Sequence, residues 1–349
     1  MSARKAGKPR RRWFRRTLFV IVGLLVAAAI VWGGMRYRQF THAPLAVQAT
    51  GQTLEVAKGE GFKDIVRQLR DAGLTDAPPL LWRTLAWRLG VVNKLHAGEY
   101  ALTPGMTPAT LLQDMAAGRV LHHRVTLVDG WTFKQVLDAL NAAPKLEHTP
   151  AAKLRGELAA RIGRSGPDSL EGEFMPDTYD YVLGMSDLDV LERAHKAMHE
   201  FLEREWAARE RSIPVQTPYQ ALILASLVEK ETAVAAERPE IAGVFERRLR
   251  IGMRLETDPS VIYGMGAAYQ GKIHKSDLQA DTPYNTYTRY GLPPTPIALP
   301  SRAAIDAVLH PADGDALYFV AKGDGTHQFS ATLAEHNAAV RKYILQKGH

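Results

Sequence analysis

The sequence predicts an α+β protein, rich in helix, behind one N-terminal membrane-spanning helix. Three observations carry this expectation. Thr17 to Met35 is a run of nineteen residues without a charge; three later segments read as strand, glycine turn and amphipathic helix; and the back half is a series of helical patterns closed by one hairpin. With 349 residues the chain has room for two domains and a well-buried core. Cysteine is absent, which excludes disulfides, thiolate metal sites and a cysteine nucleophile.

The uncharged run is long enough for roughly 28 Å of helix against a hydrocarbon core of about 30 Å. Eight basic residues precede it, among them Arg4, Lys5, Lys8 and Arg10, and only Arg36 and Arg38 follow closely. That asymmetry places residues 1–16 as a basic cytoplasmic tail, 17–35 as the span and the bulk of the chain outside the cell membrane. A cleaved signal peptide is the competing expectation, with Ala27-Ala28-Ala29 as its cleavage site, but the apolar run continues past the alanines through Ile30, Val31 and Trp32. The tail also accounts for the whole formal charge of +7, so the remainder lacks the positive surface that nucleic-acid binding needs.

Residues 36–50 read as a tether. The three strand–turn–helix segments follow, with strands at 52–58, 98–103 and 120–128 and turns at Gly59, Gly105 and Gly130. Apolar residues recur at equivalent helical positions: Ile65, Val66 and Leu69; Leu111, Leu112 and Met115; Val136, Leu137 and Leu140. Trp82 and Trp87 fall on a helical pattern from Pro79 to Leu89 and are expected in the core. Residues 141–169 read as helical pieces and loops. Asp187 is the expected cap of a scaffold helix that runs to about Arg211.

The centre of the chain is the stretch from Thr217 to Gly266. Thr217 is placed to cap a helix, Pro218 takes its first position, and Ala221 to Val228 hold one polar side chain, Ser226. At about 100° per residue Leu222, Ser226, Glu229 and Ala233 share a face, whereas Glu231 lies roughly 200° away, so the two glutamates are not a catalytic pair. A carboxyl at the end of so apolar a run is expected to lose solvation, which favours its neutral form and suits a general acid. The alternative is a helix end that reaches water with ordinary surface glutamates. Beyond the block, a helix is expected from Arg302 to Leu309, a hairpin from Leu317–Ala321 and Gln328–Ser330, and a last helix from Thr332 to Leu345.

The run SLVEKETAVAAERPEIAGVFERRLRIGMRLETDPSVIYGMG, with LEGEFMPDTYDY before it at 170–181 and TPYNTYTRYGLPPTPIALP after it at 282–300, resembles the MltG (YceG-like) family of endolytic murein transglycosylases. The resemblance extends from the basic N-terminus to the C-terminal helix. It implies a LysM-like module over 51–128, whose partner is glycan, and a catalytic transglycosylase domain over 129–349. A spacer that only holds the catalytic part off the membrane is an equal reading of 51–128, because no row of exposed aromatics announces a sugar platform.

Cutting a glycosidic bond usually requires an acid and a second carboxylate. The resemblance implies that Glu229 serves alone. It would protonate the oxygen between MurNAc and GlcNAc and then take the proton of the C6 hydroxyl as that oxygen closes on C1. Ser226, Thr257, Asp258, Tyr263, Tyr284, Asn285 and Tyr287 match the family motifs and are expected to position substrate. Glu256 departs from an expected glutamine and Glu173 from an expected apolar residue. The resemblance further implies no metal or cofactor, peptidoglycan strands as substrate, partners among the murein polymerases (penicillin-binding proteins), and a bacterial inner-membrane protein with a periplasmic C-terminal domain. A membrane-tethered murein-binding scaffold and an ordinary hydrolase using Asp258 remain the rival readings.

Other signals fail on inspection. Gly266-x4-Gly271-Lys272 imitates a phosphate loop, but Ile273 replaces the required Ser/Thr. No HExxH occurs, and His122 and His123, adjacent on a strand, point to opposite faces. The arginines of ERRLRIGMR could meet acidic stem peptides or simply form a solvated face.

Overall fold

A computed structural model describes residues 10–163 and 170–345. The first nine residues of the basic tail, and 164–169 of the loops expected over 141–169, lie outside the described residues. The chain divides into two compact units, residues 1–122 with 182–184 and residues 123–181 with 185–349.

The first unit opens with helix α1 (Arg10–His42), which contains the expected span. From Trp13 it is long and apolar enough to cross a membrane, and its apolar window is not buried against protein. Then come β1 (Gln52–Val56), α2 (Phe62–Asp71), α3 (Pro79–Leu89), β2 (Gly98–Leu102) and α4 (Pro108–Ala116). β1 and β2 pair antiparallel with Leu54 opposite Tyr100. The helices bury Ile65, Val66 and Leu69, Trp82 and Leu85, and Leu111, Leu112 and Met115 against the strands' Leu54, Val56, Tyr100 and Leu102. Gly59, Gly105 and Gly130 all have positive φ, as their turns require.

Trp82 is fully buried, but Trp87 is 77% exposed, which corrects the expectation that both belong to the core. Five residues along a helix turn the side chain by about 140°, so one face cannot hold both.

The second unit contains β3 (His123–Leu127), α5 (Phe133–Ala142), α6 (Ala151–Arg161), β4 (Asp177–Tyr181), α7 (Asp187–Ala208), α8 (Pro218–Glu231), α9 (Arg238–Arg250), α10 (Asp258–Met265), α11 (Lys275–Gln279), α12 (Arg302–Leu309), β5 (Tyr318–Ala321), β6 (His327–Ser330) and α13 (Leu333–Val340). A single wide helical turn, Arg341–Leu345, follows. β3 pairs antiparallel with β4, setting Val125 opposite Tyr179, and so joins the second unit rather than β1 and β2. Sequence patterning missed β4, whose DTYDY alternation is short and whose partner lies some fifty residues upstream. The cap of α7 is Ser186, not Asp187: the serine accepts the Asp189 amide in a capping box, while Asp187 is buried and accepts the amide and hydroxyl of Thr149.

α8 forms the centre of the larger core. Leu222, Leu224, Leu227 and Val228 are buried among residues of α7, α9 and α12, each such leucine worth on the order of 2 kcal/mol. A second cluster holds β3, α5, α6 and the outer side of α7 through Leu127, Phe133, Val136, Leu158, Phe174 and Leu191.

Candidate active site

The packing of α8 fixes where Glu229 stands. Thr217 Oγ1 accepts the Gln220 amide at 3.2 Å, Pro218 sits in the first turn, and every residue from Ala221 to Val228 is buried. Ser226 is fully buried as well. Its hydroxyl donates to the Ile223 carbonyl at 2.7 Å and accepts the Ile297 amide at 3.0 Å, which ties α8 to residues 295–300. Ser226, expected to position substrate, is thus placed inside the packing of α8.

The tied segment is held from its other side by the loop after β3. Gly130 donates its amide to the Leu299 carbonyl at 2.8 Å, and Leu299 donates to the Trp131 carbonyl at 2.7 Å. The chain then turns into α12 at Ser301, whose Oγ accepts the Ala304 amide at 3.1 Å. Ser301 also donates twice to Glu229 Oε2, from its amide at 3.0 Å and from its hydroxyl at 2.5 Å. The Glu229 side chain is only 7% exposed, which removes the reading of an ordinary surface glutamate.

The other oxygen, Oε1, faces Arg238 of α9, whose guanidinium lies 3.8 Å away. Lys230 Nζ donates to the Gly130 carbonyl at 3.2 Å, closing the loop against the end of α8. Asp129 on that loop has its pKa pushed up by partial desolvation, with Arg238 opposing and Asp177 adding to the rise. The result is one carboxyl gripped at one oxygen by the N-terminus of a helix and faced at the other by Arg238, which in turn acts on Asp129.

A different set gathers around Glu231. Thr257, nearly fully buried, donates its hydroxyl to Glu231 and its amide to Thr286 Oγ1 at 3.0 Å. Tyr287 donates to Asp258 Oδ1 at 2.7 Å. Burial pushes the Glu231 pKa up to about 7, with the Thr257 bond opposing and the charge of Asp258 adding to the rise. His327 Nδ1 lies 2.7 Å from Glu237 in the same region. Glu256, one departure from expectation, is exposed with φ of 49° and lies 4.0 Å from Arg248. Glu173, the other, is buried 3.6 Å from His195 of α7.

The third set lines a cleft of about 660 Å³ formed by Thr132, Phe133, Lys134, Arg155, Glu171, Ile262, Tyr263 and Tyr284 among others. Glu171 accepts the Phe133 amide at 2.8 Å and the Tyr263 hydroxyl at 3.0 Å, yet burial raises its pKa to about 7. The rings of Tyr263 and Tyr284 meet edge to face at 4.8 Å, and Tyr284 shares a hydrogen bond with Thr295 at 3.0 Å. Residues 129–134 run from the side of Glu229 to this cleft, which has the volume and mixed lining of a ligand site.

The expected residues thus separate. Tyr263 and Tyr284 line the cleft; Thr257, Asp258 and Tyr287 belong with Glu231. Asn285 is fully buried, donating to the carbonyls of Asp277, Leu278 and Ala280 and accepting the Tyr287 amide, so it organises its own turn. Arg247 and Arg248 of the basic run donate to backbone carbonyls of 255, 312, 316 and 317, holding the structure together rather than forming a solvated face. Four residues were missed. Ser301, following Pro300 and heading an apolar helix, carried a readable cap signal, and Glu171 stood inside the motif at 170–181; Asp129 and Arg238 gave no local signal.

Comparison with known proteins gives the family to which the chain is similar. The model of the YceG-like family matches residues 54–342. The endolytic murein transglycosylase of Bacillus subtilis (strain 168) is 32% identical over 269 residues, 72% of this chain and 74% of that protein. The endolytic murein transglycosylase of Streptococcus pneumoniae (serotype 2, strain D39) is 26% identical over an alignment covering 94% of this chain and 66% of that protein. A crystal structure of a YceG-like protein from Listeria monocytogenes superposes with a TM-score of 0.54 at 27% identity, covering 82% of this chain and 98% of its own.

Proposed function

The chain belongs to the YceG-like family, and from that premise we propose that it is an endolytic murein lytic transglycosylase with Glu229 as its acid and base. The observation that supports this reading most directly is the mounting of Glu229. Ser301 holds Oε2 with two donors, which leaves Oε1 as the oxygen that exchanges a proton with substrate.

In the first step Glu229 gives its proton to the glycosidic oxygen leaving as the GlcNAc 4-hydroxyl, while the bond from that oxygen to MurNAc C1 breaks. The MurNAc 2-acetamido group shares the charge that develops at C1. In the second step the Glu229 carboxylate takes the proton of the C6 hydroxyl as O6 bonds to C1, giving a 1,6-anhydro-MurNAc end. No water is consumed, and Glu229 ends as it began. Arg238 at the rim would steady the carboxylate between the steps. The cleft of Tyr263, Tyr284 and Glu171 takes neighbouring sugars through hydroxyl and ring contacts.

The protein acts on nascent strands from a single-pass anchor in the bacterial inner membrane, with the second unit periplasmic and murein polymerases as partners. A LysM-like module lies within residues 51–128; the strand–turn–helix order from β1 to α4 supports that assignment, while β3 goes with the second unit.

The test is mass spectrometry of products from uncross-linked glycan strands treated with the detergent-solubilised full chain and with Glu229→Gln. Ends in 1,6-anhydro-MurNAc from the native chain alone are expected. Reducing ends would mean hydrolysis and make Asp129 the first second carboxylate to test. Binding without cleavage by either protein would establish a scaffold.

A further inference from the structure

We propose that helix α3 is a membrane-surface helix, its outer face seated in the headgroup layer with Trp87 as anchor and Arg83 and Arg88 on lipid phosphates. The inference rests on the reading of α1 as a membrane span.

The outer face has an unusual composition. Leu80 and Trp87 lie 20° apart in projection and two turns apart along α3, and they are 72% and 77% exposed. Arg83 and Arg88 flank that apolar line on either side, both exposed. The inner face is fully used, with Trp82, Leu85 and Ala86 in the core, so α3 cannot turn to hide its outer residues. An exposed tryptophan between arginines suits a lipid headgroup layer, where the ring bridges apolar and wet zones and the arginines extend to phosphate.

The depth of α3 follows from its contacts with α1. The apolar run ends at Met35, and at 1.5 Å per residue Tyr37 and Phe40 lie roughly 3 Å and 7.5 Å beyond it. Arg88 stacks over the Tyr37 ring at 5.9 Å, and Trp82 meets the Phe40 ring edge-on at 5.3 Å. The headgroup region on each side of a bilayer is about 5–8 Å thick. α3 is therefore pinned at headgroup depth by the helix that crosses the membrane, with its Trp87 end lower than its Leu80 end. Arg36 and Arg38 extend the same basic rim from α1, and charge attraction to an anionic leaflet acts in the same direction.

The absence of native cysteine makes the test direct. A spin label is placed on Thr84→Cys, which lies on the outer face and keeps Trp87 and both arginines. The full chain is reconstituted in nanodiscs containing phosphatidylglycerol, and label accessibility to oxygen and to a water-soluble nickel complex is measured. Leu25→Cys, inside the span, serves as the lipid reference. An oxygen-to-nickel ratio at Thr84 severalfold above that of free label, between water and the Leu25 value, is expected. It should fall towards water with Trp87→Ala and be lower at Leu80→Cys. A water-like ratio at Thr84 with a lipid-like Leu25 overturns the proposal alone, as does a ratio indifferent to Trp87→Ala. A label shielded from both reagents means that protein covers the face, and overturns it too. A water-like Leu25 sinks the span reading and the proposal with it.

Discussion

Glu229 and Glu231 stand two residues apart at the end of one helix, and their surroundings have almost nothing in common. Glu229 is gripped at one oxygen by a serine that starts α12, with Arg238 at the other. Glu231 is bonded by Thr257 and surrounded by the charges of Asp258, His327 and Arg248. The same residue type on the same helix thus serves two ends, separated by about 200° of rotation. Burial marks Glu231 with a pKa raised to about 7, whereas what recommends Glu229 for the proposed proton exchange is its mounting by Ser301.

The largest effect should come from Glu229→Gln. Removing the exchangeable proton is expected to lower turnover by about 10³-fold or more, with the thermal midpoint little changed, since glutamine still accepts from Ser301. Turnover within tenfold of native would end the distinction between the two glutamates. Ser301→Ala comes next, because it strikes both the grip on Glu229 and the cap of α12. A loss of about 1 kcal/mol in stability is expected together with a fall in kcat of roughly tenfold, whereas Ser301→Thr should recover much of both. If stability falls and kcat does not, the serine is a cap alone.

Glu231→Gln addresses the other side of the comparison through pH. The folded pKa of Glu231 is raised from 4.5 to about 7, so its contribution is fully present below pH 4.5 and is lost as pH rises to 7 and beyond. The native chain should therefore lose on the order of 1–3 kcal/mol across that window that the glutamine variant does not, as read from denaturant midpoints. Parallel curves would show that the carboxyl is not held protonated. The smallest effect belongs to Tyr263→Phe, which deletes the hydroxyl bond to Glu171 and leaves the ring against Tyr284. KM for glycan should rise a few-fold with kcat nearly constant, and the Glu171 pKa should move further up from about 7 because a bond that lowers it is gone.

What could be read in advance divides along the range of the interactions. Thr217 and Pro218 fixed the start of α8 to the residue, and glycine turns located β1, β2 and β3, because caps and turns are local. The partner of β3 was out of reach, since pairing with β4 is decided by packing across some fifty residues. Glu229 was found by motif and by its position after an apolar run. Ser301 and Arg238 come to it from two separate stretches, and Asp129 to Arg238 from a third, which no spacing rule connects. Ser226 and Asn285 carried motif signals but point inward, where their hydrogen bonds hold α8 and the 282–288 turn in place.

The double duty of Ser301 has a consequence for a cell whose wall this protein would cut. One hydroxyl starts α12 and seats the proposed acid, so fraying of the first turn of that helix releases Glu229 from its grip. A heat-damaged or partly clipped molecule should fall silent before it unfolds. For an enzyme that severs a load-bearing polymer, this is a way of failing safe.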